Sequence, residues 1–144
     1  MATTKTYGSL ITKAFNKEVD WDTDTIKVAL VTSSYTPNQD THDYWDDVSA
    51  NEITGTGYTT GGATLATKTV GYTGGTNVTK FDADDVSWTS STLTARYAVV
   101  YLATGTGSTS PLIAYVDFAT DQSSSSGTFT VTWSSSGIFT TTAD

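Results

Sequence analysis

The sequence predicts a mainly β protein, an antiparallel β-sandwich or compact barrel of about seven or eight strands with an N-terminal amphipathic helix. Three observations carry that expectation. Ser and Thr together make up roughly a third of the chain; β-branched Thr favours extended backbone, and its hydroxyl keeps an exposed face wet without charge. Short apolar runs alternate with Gly, Asn, Asp and Ser turn signals along the whole length. In GTFTVTW, residues 127 to 133, Phe129, Val131 and Trp133 alternate with Thr128, Thr130 and Thr132. A strand would put the first set on a dry face and the second on a wet one. The 144 residues suit one domain, 1–144, with the helix in 1–20 and the β-sandwich in 21–144.

Taken in order, Tyr7, Leu10, Ile11, Ala14 and Phe15 fall at i, i+3, i+4, i+7 and i+8. That spacing predicts an amphipathic helix of about three turns, with Thr4 or Thr6 available as its cap. Its apolar stripe packs on the chain's own sheet or docks on a neighbouring subunit. DWDTD, residues 20 to 24, reads as a turn, and TIKVALVT, 25 to 32, as a strand apolar on both faces. Residues 34 to 62 form the longest irregular stretch. Pro37, Asn38 and Asp40 signal a turn, HDYWDDV (42 to 48) one or two helical turns, and Gly55, Gly57, Gly61 and Gly62 a loop. Long loops on a β scaffold often carry contacts.

ATLATKTVGYT, 63 to 73, reads as one strand, turning at Gly74-Gly75 into its hairpin partner TNVTKFDA. A short strand follows at 86 to 88. LTARYAVVYLA, 93 to 103, is apolar on both faces and should be central. In LIAYVDFA, 112 to 119, Leu112, Ala114, Val116 and Phe118 are expected on the inner face. Across the Ser123–Ser126 tip, GTFTVTW is expected to pair back, and IFTTT, 138 to 142, to close the sheet.

Charge narrows the partners. The net charge is −8, with only 7 basic residues scattered along the chain. Nucleic-acid binding needs Lys and Arg to neutralise phosphates, so no nucleic-acid contact is expected. The same sign disfavours anionic membranes. No apolar run approaches the roughly 20 residues that cross a bilayer. MATTKTYGSLITKAF is broken by Lys13 and lacks a signal peptide's apolar region, so the chain is expected to stay in the producing cell or leave as part of something larger. With 0 Cys, thiol nucleophiles, disulfides and Cys-based zinc sites are absent.

Candidate chemistry is sparse. His42 sits among Asp43, Tyr44, Asp46 and Asp47, but a catalytic His needs a nucleophile and an orienting partner, and no motif supplies them. Asp20, Asp22 and Asp24, or Asp82, Asp84 and Asp85, could offer oxygens to Ca²⁺, yet neither set has the spacing of an EF-hand loop, and turn or cap roles account for both. Nothing favours a carboxylate pair for glycoside hydrolysis. Asn77-Val78-Thr79 matches a glycosylation acceptor by chance. Tyr35 and the rings of 42 to 48 could stack on sugars; core or interface roles fit such rings better. No catalytic, cofactor-binding or metal-binding residue is therefore expected. The expected interface residues are Tyr7, Leu10, Ile11, Phe15, Tyr35, Tyr44 and Trp45, because the helix and the irregular region hold aromatics without evident partners.

Beyond the residue chemistry, several runs together resemble small structural proteins of tailed bacteriophages: DTDTIKVALVTSSYTP (22 to 37), HDYWDDV, GTGYTTGGATLATKTV (55 to 70), FDADDVSW (81 to 88), LTARYAVVY (93 to 101), SPLIAYVDF (110 to 118) and GTFTVTW. The resemblance covers nearly the whole chain in order, including the opening helix, and includes no catalytic signature. It implies a protein made in the host bacterial cytoplasm and incorporated into the virion, first of all as a head decoration (cement) protein on the capsid surface. The implied partners are the major capsid protein and further copies of the chain, as a trimer. The implied mechanism is mechanical, bridging capsid subunits against the pressure of packed DNA. A tail or fibre component that binds a receptor or glycan, and a polysaccharide hydrolase, are the alternatives.

Overall fold

Two strands that are apolar on both faces set the middle of the molecule. A computed structural model describes residues 2–144. Its strands are β1 (Thr3–Thr6), β2 (Ile26–Val31), β3 (Ala63–Thr64), β4 (Thr69–Thr73), β5 (Val78–Asp82), β6 (Val86–Ser91), β7 (Thr94–Leu102), β8 (Leu112–Ser123), β9 (Gly127–Val131) and β10 (Phe139–Thr142). One helix, α1 (Leu10–Phe15), follows β1, and short 3₁₀ turns occupy Trp45–Asp47, Ser49–Asn51 and Gly107–Thr109. Every strand pair is antiparallel. A five-stranded sheet runs β1-β8-β7-β2-β3, a three-stranded sheet β10-β5-β4, and β6 pairs β9. The fold is mainly β and sandwich-like.

Both faces of the five-stranded sheet are buried. On one, Ile26, Val28, Leu30, Ala98, Val100 and Val116 meet Trp21, Trp88, Phe129 and Trp133 beneath the two smaller sheets. On the other, Ala29, Val31, Val99 and Tyr101 are covered by Tyr35, Trp45 and Val48. The irregular 34–62 stretch is therefore partly a structural layer. Thr32 N–H donates to the Asn51 carbonyl, Ile53 N–H to Leu30, Trp45 N–H to Ser110 and Leu112 N–H to Asp43, all within 2.8–3.0 Å. The Trp45 ring stacks on Tyr101 with centroids 4.3 Å apart and planes 8° from parallel.

The opening of the chain departs from the helical spacing. Instead of about three turns, the helix has 6 residues. TTKT is strand β1, on the open side of β8, with Thr3 opposite Asp117 and Thr6 opposite Ala114. Tyr7 N–H extends that ladder to the Ile113 carbonyl. The unpaired flank of β8 offers these β-branched residues hydrogen bonds that an exposed first helical turn would lack. Lys17 stops the helix at φ 64, with its N–H on the Ala14 carbonyl and Glu18 N–H on the Lys13 carbonyl. That is a left-handed C-terminal cap.

Three further expectations change. The 63–73 run is two strands, because Thr67 takes φ 53 and its hydroxyl donates to Asp84. In β8 a bulge at Ile113 puts Val100 opposite Ala114 but Tyr101 opposite Leu112. Leu112 thus packs beneath Tyr35 and Trp45, while Ala114 and Val116 face the sandwich core. Finally, β9 pairs β6, not β8. Ser124 exchanges backbone hydrogen bonds with Leu93, so 124–126 is a corner at which the β7/β8 ribbon bends over and continues as β6/β9. Ser90 and Ser126, both at φ 47, absorb the bend. The alternation in GTFTVTW survives it: Phe129, Val131 and Trp133 are buried, and Thr128, Thr130 and Thr132 are exposed.

Burial of tyrosines makes an alkaline prediction. Burial pushes the Tyr35 and Tyr101 phenols up from 10.0 to about 12. Tyr7 and Tyr58 are raised too, by burial first and then by hydrogen-bonded neighbours. A phenol is neutral when protonated, so the stability these groups contribute is complete below the unfolded value and is lost as pH rises through the folded one. Unfolding free energy is expected to hold up to pH 10 and fall towards pH 12. In an ultraviolet titration the buried phenolates should emerge together with unfolding; gradual ionisation of all eight tyrosines in the folded protein would contradict it.

Candidate docking surface

The turn before β2 and the capped helix together bring α1 against the β10-β5-β4 sheet. Trp21 anchors the junction. Its indole Nε1 donates to the Thr69 carbonyl at 3.0 Å. Its ring meets Phe81 and Phe139 edge-on at 5.8 and 5.6 Å. Phe81 and Phe139, opposite each other on β5 and β10, stack at 4.3 Å. Between these rings and α1 lies a crevice of about 90 Å³, walled by Leu10, Ile11, Ala14, Trp21, Phe81 and Phe139 among others.

Among the described residues four large hydrophobic side chains are exposed, and one of them, Ile11, lines this crevice. Ile11 is 48% exposed and Phe15, one helical turn on, 86%. Val70 (41%) lies opposite Phe81 on the same sheet face, and Tyr72 (58%) stands two residues further along that face. Single exposed apolar residues are ordinary, but several on adjoining elements beside an apolar crevice make a candidate contact surface. The charged groups nearby do not intrude. Lys13, 6% exposed, turns away beneath Tyr44, with its Nζ 3.5 Å from that ring's centre. It also lies 3.5 Å from Asp43 and 3.7 Å from Glu18. Burial works against its charge, but Tyr44, Asp43 and Glu18 outweigh it and leave the ammonium pKa raised. Lys13 thereby pins α1 to the irregular layer and leaves its opposite side free.

The seven expected interface residues thus divide. Tyr7, Leu10, Tyr35 and Trp45 are buried in the chain's own core. Tyr44 is half-buried, with its hydroxyl donating to Glu18 at 3.0 Å over the Lys13 site. Ile11 and Phe15 are at the surface. The structure brings Leu10 and Ile11 together at the crevice, leaves Phe15 exposed one helical turn beyond Ile11, and places Tyr35 and Trp45 on the far face of the central sheet. Val70 and Tyr72 were missed. Their alternation in TVGYT signals a shared face, but the pattern does not say which face is dry.

The titratable groups singled out in the sequence hold local structure. Nδ1 of His42 takes the Asn38 N–H at 3.3 Å and so is the ring's acceptor nitrogen; the Tyr35 hydroxyl, 2.9 Å away, donates to it. Tyr7 completes the chain at 2.9 Å from the Tyr35 hydroxyl. Asp20 caps its own turn by accepting the Thr23 and Asp22 N–H groups; hydrogen bonding from Thr23 first, and from Asp22 less, draws its pKa down. Asp84 takes the Thr67 hydroxyl, Asp85 the Trp133 N–H, and Asp82 pairs with Lys80 at 3.1 Å. Among the described residues no group of three or more His, Cys, Asp or Glu side chains could hold a metal ion. No helix of the described residues is long and apolar enough to cross a membrane. No family model matches the chain, and neither a curated protein nor a solved structure matches it.

Proposed function

We propose that the chain is a structural, non-enzymatic subunit of a tailed-bacteriophage particle, a head decoration protein that docks on the capsid and bridges its subunits. The observation that carries the docking role is the exposure of Ile11 and Phe15 on α1 and of Val70 and Tyr72 on the β4 strand, beside an apolar crevice that Ile11 and Phe81 line. The family resemblance of the sequence supplies the setting. An apolar knob beside an apolar recess suits a permanent contact, in which burying a ring of this size contributes about 1.5–3 kcal/mol. A surface otherwise rich in Thr and Ser and low in charge suits a shell that must stay soluble while closely packed.

The test is binding to purified expanded capsids. The wild-type chain is expected to bind saturably, with copies comparable in number to the capsid protein. Phe15→Asp should weaken binding at least tenfold, since it places a charge in a contact that excludes water. Its folding stability should stay within about 0.5 kcal/mol of wild type, because Phe15 is exposed. Deleting the first 18 residues is a poorer experiment: it also removes β1 and the buried Tyr7. Binding to host cells without binding to capsids would point instead to a tail or fibre role.

A further inference from the structure

The second surface is a strand edge. β9 is hydrogen-bonded on one side only, to β6, and among the described residues nothing pairs its other side. A groove of about 490 Å³ runs beside that open flank. The consecutive residues Thr128 to Thr132 all line it. Successive side chains of a strand point to opposite faces, so a groove touched by all of them runs along the strand's edge, where the backbone groups are. Its apolar floor comes from Val116, Phe118, Phe129 and Val131, and the end of β8 forms the opposite wall.

Open edges are normally blunted by charge, by Pro or by a covering segment. Another open edge, β4, is guarded: Lys68 immediately precedes it, and the Trp21 indole takes its Thr69 carbonyl. β1 carries Lys5 at its centre. From Ser123 to Ser136 there is neither a charged residue nor a proline.

We propose that this edge pairs with the β9 edge of a second copy, antiparallel about a two-fold axis. The pairing joins two β6/β9 ribbons into one four-stranded sheet. Charge selects this occupant. Each copy carries −8, so copies repel one another and a contact between them must avoid opposing carboxylates. β9 opposes none, and its exposed threonines face one another across the axis, a favourable cross-strand pair. Antiparallel self-pairing is also complementary by construction, because every donor of the strand meets an acceptor of the same strand. The contact is separate from the α1 crevice, so it joins neighbouring copies whichever surface holds them to a particle.

Sedimentation equilibrium of the full chain tests it. The wild type is expected to show a monomer–dimer equilibrium that Thr130→Asp weakens at least tenfold and Phe15→Asp leaves unchanged. Thr130 is exposed, so its substitution should leave the fold intact, as circular dichroism would show. As a second measurement on unaltered protein, amide exchange in residues 128–132 should slow as concentration rises, while exchange in β4 stays constant. A wild type monomeric at all concentrations overturns the proposal. So does a dimer lost in Phe15→Asp but kept in Thr130→Asp. Capsid binding is read separately, so loss of one role leaves the other standing.

Discussion

Replacing Trp45 with alanine is expected to remove about 3–5 kcal/mol of folding stability, the range for deleting a large aromatic side chain from a packed core. Trp45 lies in a segment without regular strands, yet it is buried. Its ring is parallel to Tyr101 of the central strand β7 at 4.3 Å. Truncation would open the face of the five-stranded sheet on which Val31, Val99 and Leu112 also pack. The hydrogen bonds that tie 43–53 to β2 and the start of β8 would then hold a layer with no centre. Urea unfolding of Trp45→Ala measures the loss. A cost below about 1 kcal/mol would mean the segment is an ornament on a two-layer sandwich and not a third layer.

The second large effect is expected at Gly62. Its φ is +81, and a Cβ there would sit 2.0 Å from the Val28 carbonyl oxygen and 2.7 Å from the Ala29 Cα. Both atoms belong to the backbone of β2, so no side chain can rotate away. Relief requires parting β3 from the central sheet, to which it is joined by the pairing of Lys27 with Thr64 and Val28 with Ala63. Gly62→Ala is expected to cost more than about 4 kcal/mol or to prevent folding. Gly75 supplies the contrast: nothing lies within 4 Å of its would-be Cβ. Gly75→Ala should change stability by no more than about 0.5 kcal/mol. Equal effects at the two sites would contradict the close approach of the 61–62 turn to β2.

How much of this was legible in the sequence depends on how local each cause is. The apolar runs of β2 and β7 announce strands buried on both faces, because only a layered interior tolerates such runs. The β4/β5 hairpin follows from its glycine turn, and the Thr alternation of β9 from its period. The start of the chain was misread for a physical reason. Tyr7, Leu10, Ile11, Ala14 and Phe15 satisfy a helical period, but Thr3–Thr6 finds hydrogen bonds on the flank of β8 that a local pattern cannot see. The period also cannot separate Leu10, which is buried, from Phe15, which is not; the Trp21 junction and the helix cap at Lys17 decide that. The partner of β9 is set by a corner at Ser124–Ser126, and serines there are equally compatible with a hairpin tip. Of the candidate docking surface, Ile11 and Phe15 were legible as apolar helix positions. Val70 and Tyr72 were not, since their exposure depends on which face of a three-stranded sheet the rest of the chain covers.

The proposed decoration role requires that the chain dock as a repeated structural subunit, and its copy number in purified phage particles is the measurement that decides it. Quantitative mass spectrometry against the major capsid protein should find the two chains in comparable amounts. A handful of copies per particle, or none, would contradict the decoration role.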